Sequence, residues 1–295
     1  EALGKYLAWK QQPSTAVTPR TRWSDAQLDA ARLRMDPVAD QVIADIVAKH
    51  SVAEVNTLMF NIFKTDQPVP PGLPAEAKTY FENTALPPWA DAKQLETAQK
   101  LFTRAGWQVA TCLFCSSLPQ AYAAAKGARV ITSTQAMTRH TKQRIFETAQ
   151  FLFDTVSEGA FGPNGRGART VQKVRLMHAT VRHYLRTRAD PPWDTAFLGE
   201  PLNQEDLAGT LMTFSIVVLD GLEKLGVQVS LEEQLAWLHA WKVVGHFLGL
   251  EPELMPDGLD DAHELMEAIR DRQWRASPDG KELMKPLIEL MQQYF

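Results

Sequence analysis

The residues with the clearest chemical potential are one histidine and two arginines, Arg175, His178 and Arg182. Read at helical period, His178 lies in the middle of an apolar stripe, where a leucine would be expected. A buried imidazole must satisfy both ring nitrogens, so it needs hydrogen-bond partners or a metal ion. The two arginines lie one turn to either side of it. The other stripe members are Val171, Val174, Val181 and Leu185.

This arrangement suits a haem. The imidazole would bind the iron, the arginines would bind the propionates, and the aliphatic side chains would contact the porphyrin. The alternative is a core histidine bonded to a backbone carbonyl, with the arginines on a solvated flank. The helix alone leaves both interpretations open.

A second segment bears on this choice. If 139–157 and 168–188 form an antiparallel hairpin, Thr148 and His178 each lie ~15 Å from the turn and can face each other. Arg144 and Thr148 share a helix face at four residues' spacing. A hydroxyl that can bond dioxygen and a cation that can anchor a propionate or stabilise reduced oxygen would suit the distal side of a haem. The alternative is an ordinary helix pair with an exposed arginine.

Other metal-binding motifs are weak. Cys112 and Cys115 form a CxxC, but Ser116 follows where covalent haem attachment needs histidine. No second CxxC completes a zinc tetrad. His239 and His246 share a face among tryptophans, and we interpret them as packing or supporting residues. His178 therefore remains the candidate metal ligand.

Composition limits the class of protein. The chain has 295 residues, 45% hydrophobic content and a formal net charge of −4, as in an ordinary globular protein. The absence of a basic excess argues against a nucleic-acid partner. The longest nearly apolar run, 207–219, is too short to span a bilayer. The chain begins without a charged-then-apolar leader, so we expect a signal peptide to be absent or removed. The compartment stays undecided.

The elements that would position these residues are helical. No stretch alternates at period two for long enough to predict a strand, so the predicted fold is all-α. We expect an N-terminal arm over 1–23 and a single helical domain over 24–295. The predicted helices cover 24–35, 36–50, 51 onward, 75–83, 91–118 with a bend at Gly106, 139–157, 168–188, 207–225, 230–248, 258–274 and 278–294.

Four segments in order resemble one known family: Arg144-Ile-Phe-Glu-Thr148, Val174-Arg-Leu-Met-His-Ala-Thr-Val-Arg182, Asn203-Gln-Glu-Asp-Leu-Ala-Gly-Thr210 and His239-Ala-Trp-Lys-Val-Val-Gly-His246. They are similar to the latex clearing protein (rubber oxygenase) family. Its superfamily also holds a fungal oxygenase of mycophenolic acid biosynthesis. The likeness covers roughly 35–250, and it implies a globin-like helical core around a non-covalent haem b.

The resemblance also implies roles for single residues. His178 matches the family's proximal iron ligand, and Arg144 and Thr148 match its distal arginine and threonine. Arg182 and Thr210 match further positions near the haem.

One position departs from the family. Rubber-cleaving members carry a lysine just before the distal threonine, which can ligate the iron in the closed state, and this chain has Glu147. A carboxylate is a poor substitute for a neutral amine on haem iron. It could pair with Arg144 at three residues' spacing, or act as a base on an allylic proton.

The sequence therefore predicts a haem-b-dependent oxygenase that cleaves a C=C bond with dioxygen and yields two carbonyls. Its substrate would be hydrophobic, such as an isoprenoid or another alkene. Glu147 would be the base, Thr148 the oxygen-stabilising donor and Arg144 the electrostatic anchor. Two alternatives stay open: a haem peroxygenase or hydroxylase, and a non-catalytic haem-binding or gas-sensing protein.

Overall fold

The computed structural model describes residues 22–64, 73–134, 141–162 and 165–294. Over these ranges the chain is helical, and an isolated bridge between Ala124 and Trp274 is the sole extended pairing there. The all-α prediction is confirmed. The helices are α1 (Asp25–Arg32), α2 (Pro37–Lys49), α3 (Val52–Lys64), α4 (Ala75–Glu82), α5 (Ala92–Cys112), α6 (Leu118–Ala123), α7 (Ala125–Ser133), α8 (Thr141–Val156), α9 (Gly167–Thr187), α10 (Thr195–Leu198), α11 (Gln204–Phe214), α12 (Ile216–Lys224), α13 (Leu231–Leu248), α14 (Leu259–Gln273) and α15 (Pro278–Tyr294).

Capping side chains fix the helix starts that the sequence predicted. The Glu233 backbone N–H donates to Ser230 Oγ at 3.3 Å, and the Ser230 N–H donates back to Glu233 Oε2 at 2.8 Å. This reciprocal pair satisfies two otherwise unpaired donors at the start of α13. Asp36 caps α2 by accepting from the Ala39 N–H at 3.4 Å. Both caps act within one turn, so they can be recognised from local sequence.

The predicted helix over 207–225 is instead two helices. Helices α11 and α12 meet at Ser215, whose φ of −98° and ψ of −85° are not helical. The Ser215 hydroxyl donates to the Leu211 carbonyl at 3.0 Å, which is the local bonding by which serine bends helices. The carbonyls of Thr213 and Phe214 accept instead from Ser117 Oγ at 2.6 Å and Trp237 Nε1 at 3.2 Å.

The long helix predicted over 91–118 also differs in detail. Its bend lies at Ala105, with φ −121° and ψ 18°, one residue before the expected glycine. The α-helical part ends at Cys112 and continues as a π-helical turn, Leu113–Ser117. Helices α6 and α7, which the sequence did not predict, follow this turn.

Helix α9 connects two hydrophobic cores. The larger core draws on helices α5, α8 and α11 to α15, and α9 contributes Val171 to it. The smaller core lies between α2, α3 and α4, and α9 contributes Leu176 and Ala179 to it. Helix α9 therefore has two buried sides, and its position is fixed from both.

Trp23 lies at the expected boundary between arm and domain. It is 2% exposed, and its Nε1 donates to the Glu253 carbonyl at 3.1 Å. Its side chain therefore packs into the larger core. Residues 1–21 lie outside the described ranges, and the division into arm and domain stays a prediction. No helix among those described has the length and apolar character needed to cross a membrane.

Candidate functional site

Helices α8 and α9 form the predicted antiparallel hairpin. Thr170 Oγ1 near the start of α9 donates to Asp154 Oδ2 near the end of α8 at 3.0 Å. Equal steps along both helices from this contact place Thr148 level with Leu176, about 3 Å along the axis from His178. The helix pairing that the sequence analysis assumed is therefore present, and it brings the threonine and the histidine to a similar level, whereas their facing each other stays a prediction.

The apolar stripe of α9 is less buried at its centre than at its ends. Val171 and Leu185 at its ends are fully buried, whereas Val174, His178 and Val181 between them are only partly buried. Protein interiors are close-packed, so a partly exposed apolar stripe on a helix between two cores is unusual. The surface that α9 presents here is two valines with an imidazole between them.

The imidazole of His178 is neutral and incompletely bonded. Its Nδ1 is buried and has no hydrogen-bond partner among the described residues. Burial, and to a lesser degree the charge of Arg182, lowers the pKa of His178 to about 3. A neutral imidazole is the form that binds a metal. Bonding of Nδ1 to a backbone carbonyl, as the core-histidine alternative requires, is not found in this part of the chain.

Arg175 is held by a buried carboxylate. Its Nε and Nη2 lie 2.6 and 2.7 Å from the two oxygens of Asp36, which is 3% exposed. Its Nη1 donates to the Phe247 carbonyl at 3.5 Å. Such a bidentate pair fixes the guanidinium plane. The arginine that was expected to bind a propionate is therefore already engaged, and its contacts tie α9 to α2 and α13.

Arg182 is held by the same helix, α2. Its Nε donates to Asp40 Oδ1 at 2.7 Å, and its Nη1 donates to the Leu202 carbonyl at 3.3 Å. The side chain is 1% exposed. Its Nη2 is buried without a hydrogen-bond partner in the described ranges and lies 3.9 Å from Asp36 Oδ2. One donor of this arginine is left for another group.

Gly249 packs directly against the Arg175–Asp36 pair. It ends α13 in the left-handed region, with φ +86°. A Cβ built on it would lie 2.6 Å from both Arg175 Nε and Asp36 Oδ2. Glycine is thus required here by backbone conformation and by the close approach of the ion pair.

The predicted distal residues lie on α8. Thr148 is partly buried, whereas Glu147 is exposed, and Gln143 Nε2 donates to Glu147 Oε1 at 2.7 Å. Arg144 lies in the same helix, but its side chain, and hence the expected pairing with Glu147, is outside the described part of the structure. The carboxylate expected to act as a base is bonded along its own helix.

Thr210 is an exposed position on a helix that is otherwise buried. Leu207 and Phe214, one turn before and after it, are 3% and 8% exposed. The Thr210 hydroxyl donates to the Asp206 carbonyl at 2.8 Å. The residue of α11 that matched a position near the haem is therefore exposed, whereas its neighbours one turn away are buried.

An aromatic cluster joins the three helices around this region. The ring of Phe214 on α11 lies 6.2 Å from that of Phe151 on α8 and 5.0 Å from that of Trp241 on α13. Phe151 is one turn from Thr148, and Phe214 is one turn from Thr210. The cluster therefore brings the helices that carry the two threonines into contact.

The remaining candidate ligands are engaged elsewhere or isolated. His239 Nε2 accepts from the Asp91 N–H at 2.9 Å, and the rings of His239 and His246 lie 5.8 and 6.0 Å from Trp89. These contacts are packing contacts, as the sequence suggested. No group of three or more possible metal-binding side chains occurs in the residues described. Cys112 is buried and Cys115 exposed, and neither forms a disulfide.

Asp36 and Asp40 are the site residues that the sequence did not reveal. Neither Asp36 nor Asp40 received a role in the site from the sequence alone. Their partners are 139 and 142 residues away in the chain. The available signal was two carboxylates one turn apart at the start of a buried helix, which does not identify the partners.

The chain is similar to known oxygenases. The model of a family described as ER-bound oxygenase mpaB/B'/Rubber oxygenase, catalytic domain, matches residues 100–294. Rubber oxygenase from Streptomyces sp. (strain K30) is 28% identical over 300 residues, which cover 98% of this chain and 73% of that protein. A solved structure of latex clearing protein LCP in the closed state superposes with a TM-score of 0.76 at 27% identity. The match covers 89% of this chain and 71% of that one.

Proposed function

The chain belongs to the mpaB/rubber oxygenase family, and from this premise we propose that it is a haem-b-dependent oxygenase that cleaves a C=C bond of a hydrophobic alkene or isoprenoid with dioxygen. Membership makes the protein an oxygenase-type enzyme. The haem, the bond cleavage and the substrate are the proposal. The observation that carries it is the imidazole of His178, which is neutral and incompletely bonded. It lies at the centre of an apolar stripe whose middle residues are only partly buried.

The residues around His178 fit a haem. His178 would bind the iron, and Val174 and Val181 would contact the porphyrin face. Arg182 Nη2 is a buried donor available to a carboxylate, while Arg175 is engaged with Asp36 and would act by holding α9 in place. When bound, the haem supplies the redox chemistry with dioxygen, and the protein supplies ligation and orientation.

The chain's own side chains would orient the reactants. The hydroxyl of Thr148, on the helix opposite His178, would donate to an oxygen atom of dioxygen. Phe151, Phe214 and Trp241 would exclude water and position an apolar substrate. Glu147 is exposed and accepts a hydrogen bond from Gln143. It would therefore serve as a base only after this hydrogen bond is released. Arg144 and Thr210 would complete the polar part of the site.

The purified protein tests this proposal. We expect one extractable haem b per chain, and formation of carbonyl products from an alkene under oxygen without a reductant. Because position 147 lacks the lysine, we expect a soluble terpenoid alkene to react more readily than latex. Peroxide dependence would indicate a peroxygenase or hydroxylase, and gas binding without turnover would indicate a sensor. A colourless protein holding zinc would contradict the haem.

Glu147→Lys is expected to change the iron spin state. A carboxylate donates weakly to iron, so the wild-type ferric spectrum should be largely high-spin. Lysine would add a nitrogen ligand and shift the spectrum toward low-spin. Electronic absorption and electron paramagnetic resonance measure this change.

Gln143→Lys, one turn earlier on α8 and also exposed, is the matched control and should leave the spin state as in the wild type. A low-spin wild-type spectrum with two nitrogen ligands would show that another residue closes the distal side. The assignment of position 147 would then be wrong.

A further inference from the structure

Two buried polar atoms without partners lie one helical turn apart on α9. They are His178 Nδ1 and Arg182 Nη2, and neither has a hydrogen bond within the described residues. An unsatisfied buried polar atom costs free energy of roughly 1–3 kcal/mol, so each of the two calls for a partner, and one group between neighbouring turns could serve both. An arginine nitrogen can only donate, and a histidine that binds a metal through Nε2 carries its proton on Nδ1. The partner must therefore be an acceptor oxygen.

Asp36 is a carboxylate, 3% exposed, that lies beside the arginines flanking His178. Its Oδ2 lies 3.9 Å from Arg182 Nη2, too far for a direct hydrogen bond but suitable for a bridge by one water molecule. Asp36 also pairs with Arg175 at 2.6 Å, so its carboxylate contacts α9 at residues three before and four after His178. Asp40, one turn further along α2, bonds Arg182 Nε instead.

We propose that Asp36 is a positioning residue for His178, and that one ordered water links His178 Nδ1, Arg182 Nη2 and Asp36 Oδ2. The water accepts from the imidazole N–H and from the guanidinium and donates one hydrogen to the carboxylate. A buried water commonly makes about three such bonds. The role of His178 as the iron ligand rests on the proposed function. The bridge itself concerns only side chains of this chain.

The bridge would control the strength of the histidine ligand. An imidazole whose Nδ1–H is hydrogen-bonded toward a carboxylate is a more basic ligand, and it stabilises ferric over ferrous iron. It also fixes the ring plane and the position of the proton. Arg175 and Arg182 would then act on the site through Asp36, rather than mainly through propionates.

Asp36→Asn and Asp45→Asn form a matched pair for the test. Each removes one negative charge from α2, but Asp45 accepts from Gln41 Nε2 on its own helix at 2.8 Å rather than from Arg175 or Arg182. Asparagine is as good a helix cap as aspartate, so α2 should still form in the first variant. We expect Asp36→Asn to lower the iron–histidine stretching frequency of the ferrous protein and to raise the reduction potential. Asp45→Asn should leave the stretching frequency as in the wild type.

Equal shifts in the two variants, or no shift in Asp36→Asn, would overturn the bridge and leave only a general charge effect. Asp36→Glu should restore the stretching frequency in part. A high-resolution crystal structure should show the water within hydrogen-bond distance of all three atoms, and a direct Arg182–His178 bond would contradict it.

Nitrogen NMR of the histidine ring in the apoprotein separates this inference from the proposed function. The wild type should show the proton on Nδ1 of His178, and Asp36→Asn should shift that signal whereas Asp45→Asn should not. This result can be obtained even if the protein proves to bind no haem. A proton on Nε2 instead would overturn the bridge.

Discussion

Replacement of His178 by alanine is expected to lower the haem content of the purified protein by more than about tenfold. The side chain supplies the one partly exposed imidazole at the centre of the α9 stripe, and alanine leaves no ligand there. Because the imidazole is not bonded within the described protein at Nδ1, its removal should cost the apoprotein little stability. The haem-to-protein absorbance ratio and the circular dichroism spectrum measure the two effects.

Three other histidines serve as controls. His183 lies on the same helix, on the side of the small core, and His239 and His246 lie on α13 against Trp89. Alanine at any of these positions should retain the haem. If the His246 variant lost its haem while the His178 variant kept it, the ligand assignment would be wrong.

Gly249→Ala is expected to destabilise the protein by roughly 2–4 kcal/mol and to weaken haem binding. The left-handed backbone alone disfavours alanine by about 1 kcal/mol. In addition, the new methyl group would lie 2.6 Å from Arg175 Nε and Asp36 Oδ2, so the buried ion pair must separate. Urea unfolding of the apoprotein and haem titration measure the two losses.

Gly226→Ala separates backbone strain from this clash. Gly226 follows α12 with φ +74°, and a Cβ built on it meets nothing within 4 Å. It should therefore show the backbone cost alone and normal haem binding. Equal losses of stability in the two variants would mean that the ion pair tolerates the methyl group.

Sequence reasoning succeeded where the determining contacts are local. The starts of α2 and α13 are set by Asp36 and by Ser230 with Glu233, all within one turn of the helix they cap. The ends of α8 and α9 were recognisable for the same reason, because the helical period stops on both sides of a glycine-rich connection. Counting along the two helices gives the similar level of Thr148 and His178, whereas which faces meet stays a prediction.

Sequence reasoning failed where contacts between distant parts of the chain determine the local structure. The stretch over 207–225 has no glycine or proline next to Ser215, yet it breaks there. The freed carbonyls of Thr213 and Phe214 are satisfied by Ser117 and Trp237, which come from other helices. The carboxylate partners of Arg175 and Arg182 were missed for the same reason, since no local pattern links them to α2.

The place of α9 between the two cores also bears on how the protein is made. Helices α2, α3 and α4 leave the ribosome well before α9, which closes their core with Leu176 and Ala179. Until then their apolar side chains stay exposed, and contacts between such distant segments form slowly. The nascent chain thus carries an incomplete hydrophobic core, prone to aggregation, until α9 adds Leu176 and Ala179 to it. Folding quality control of this unit and assembly of the candidate site therefore depend on the same segment.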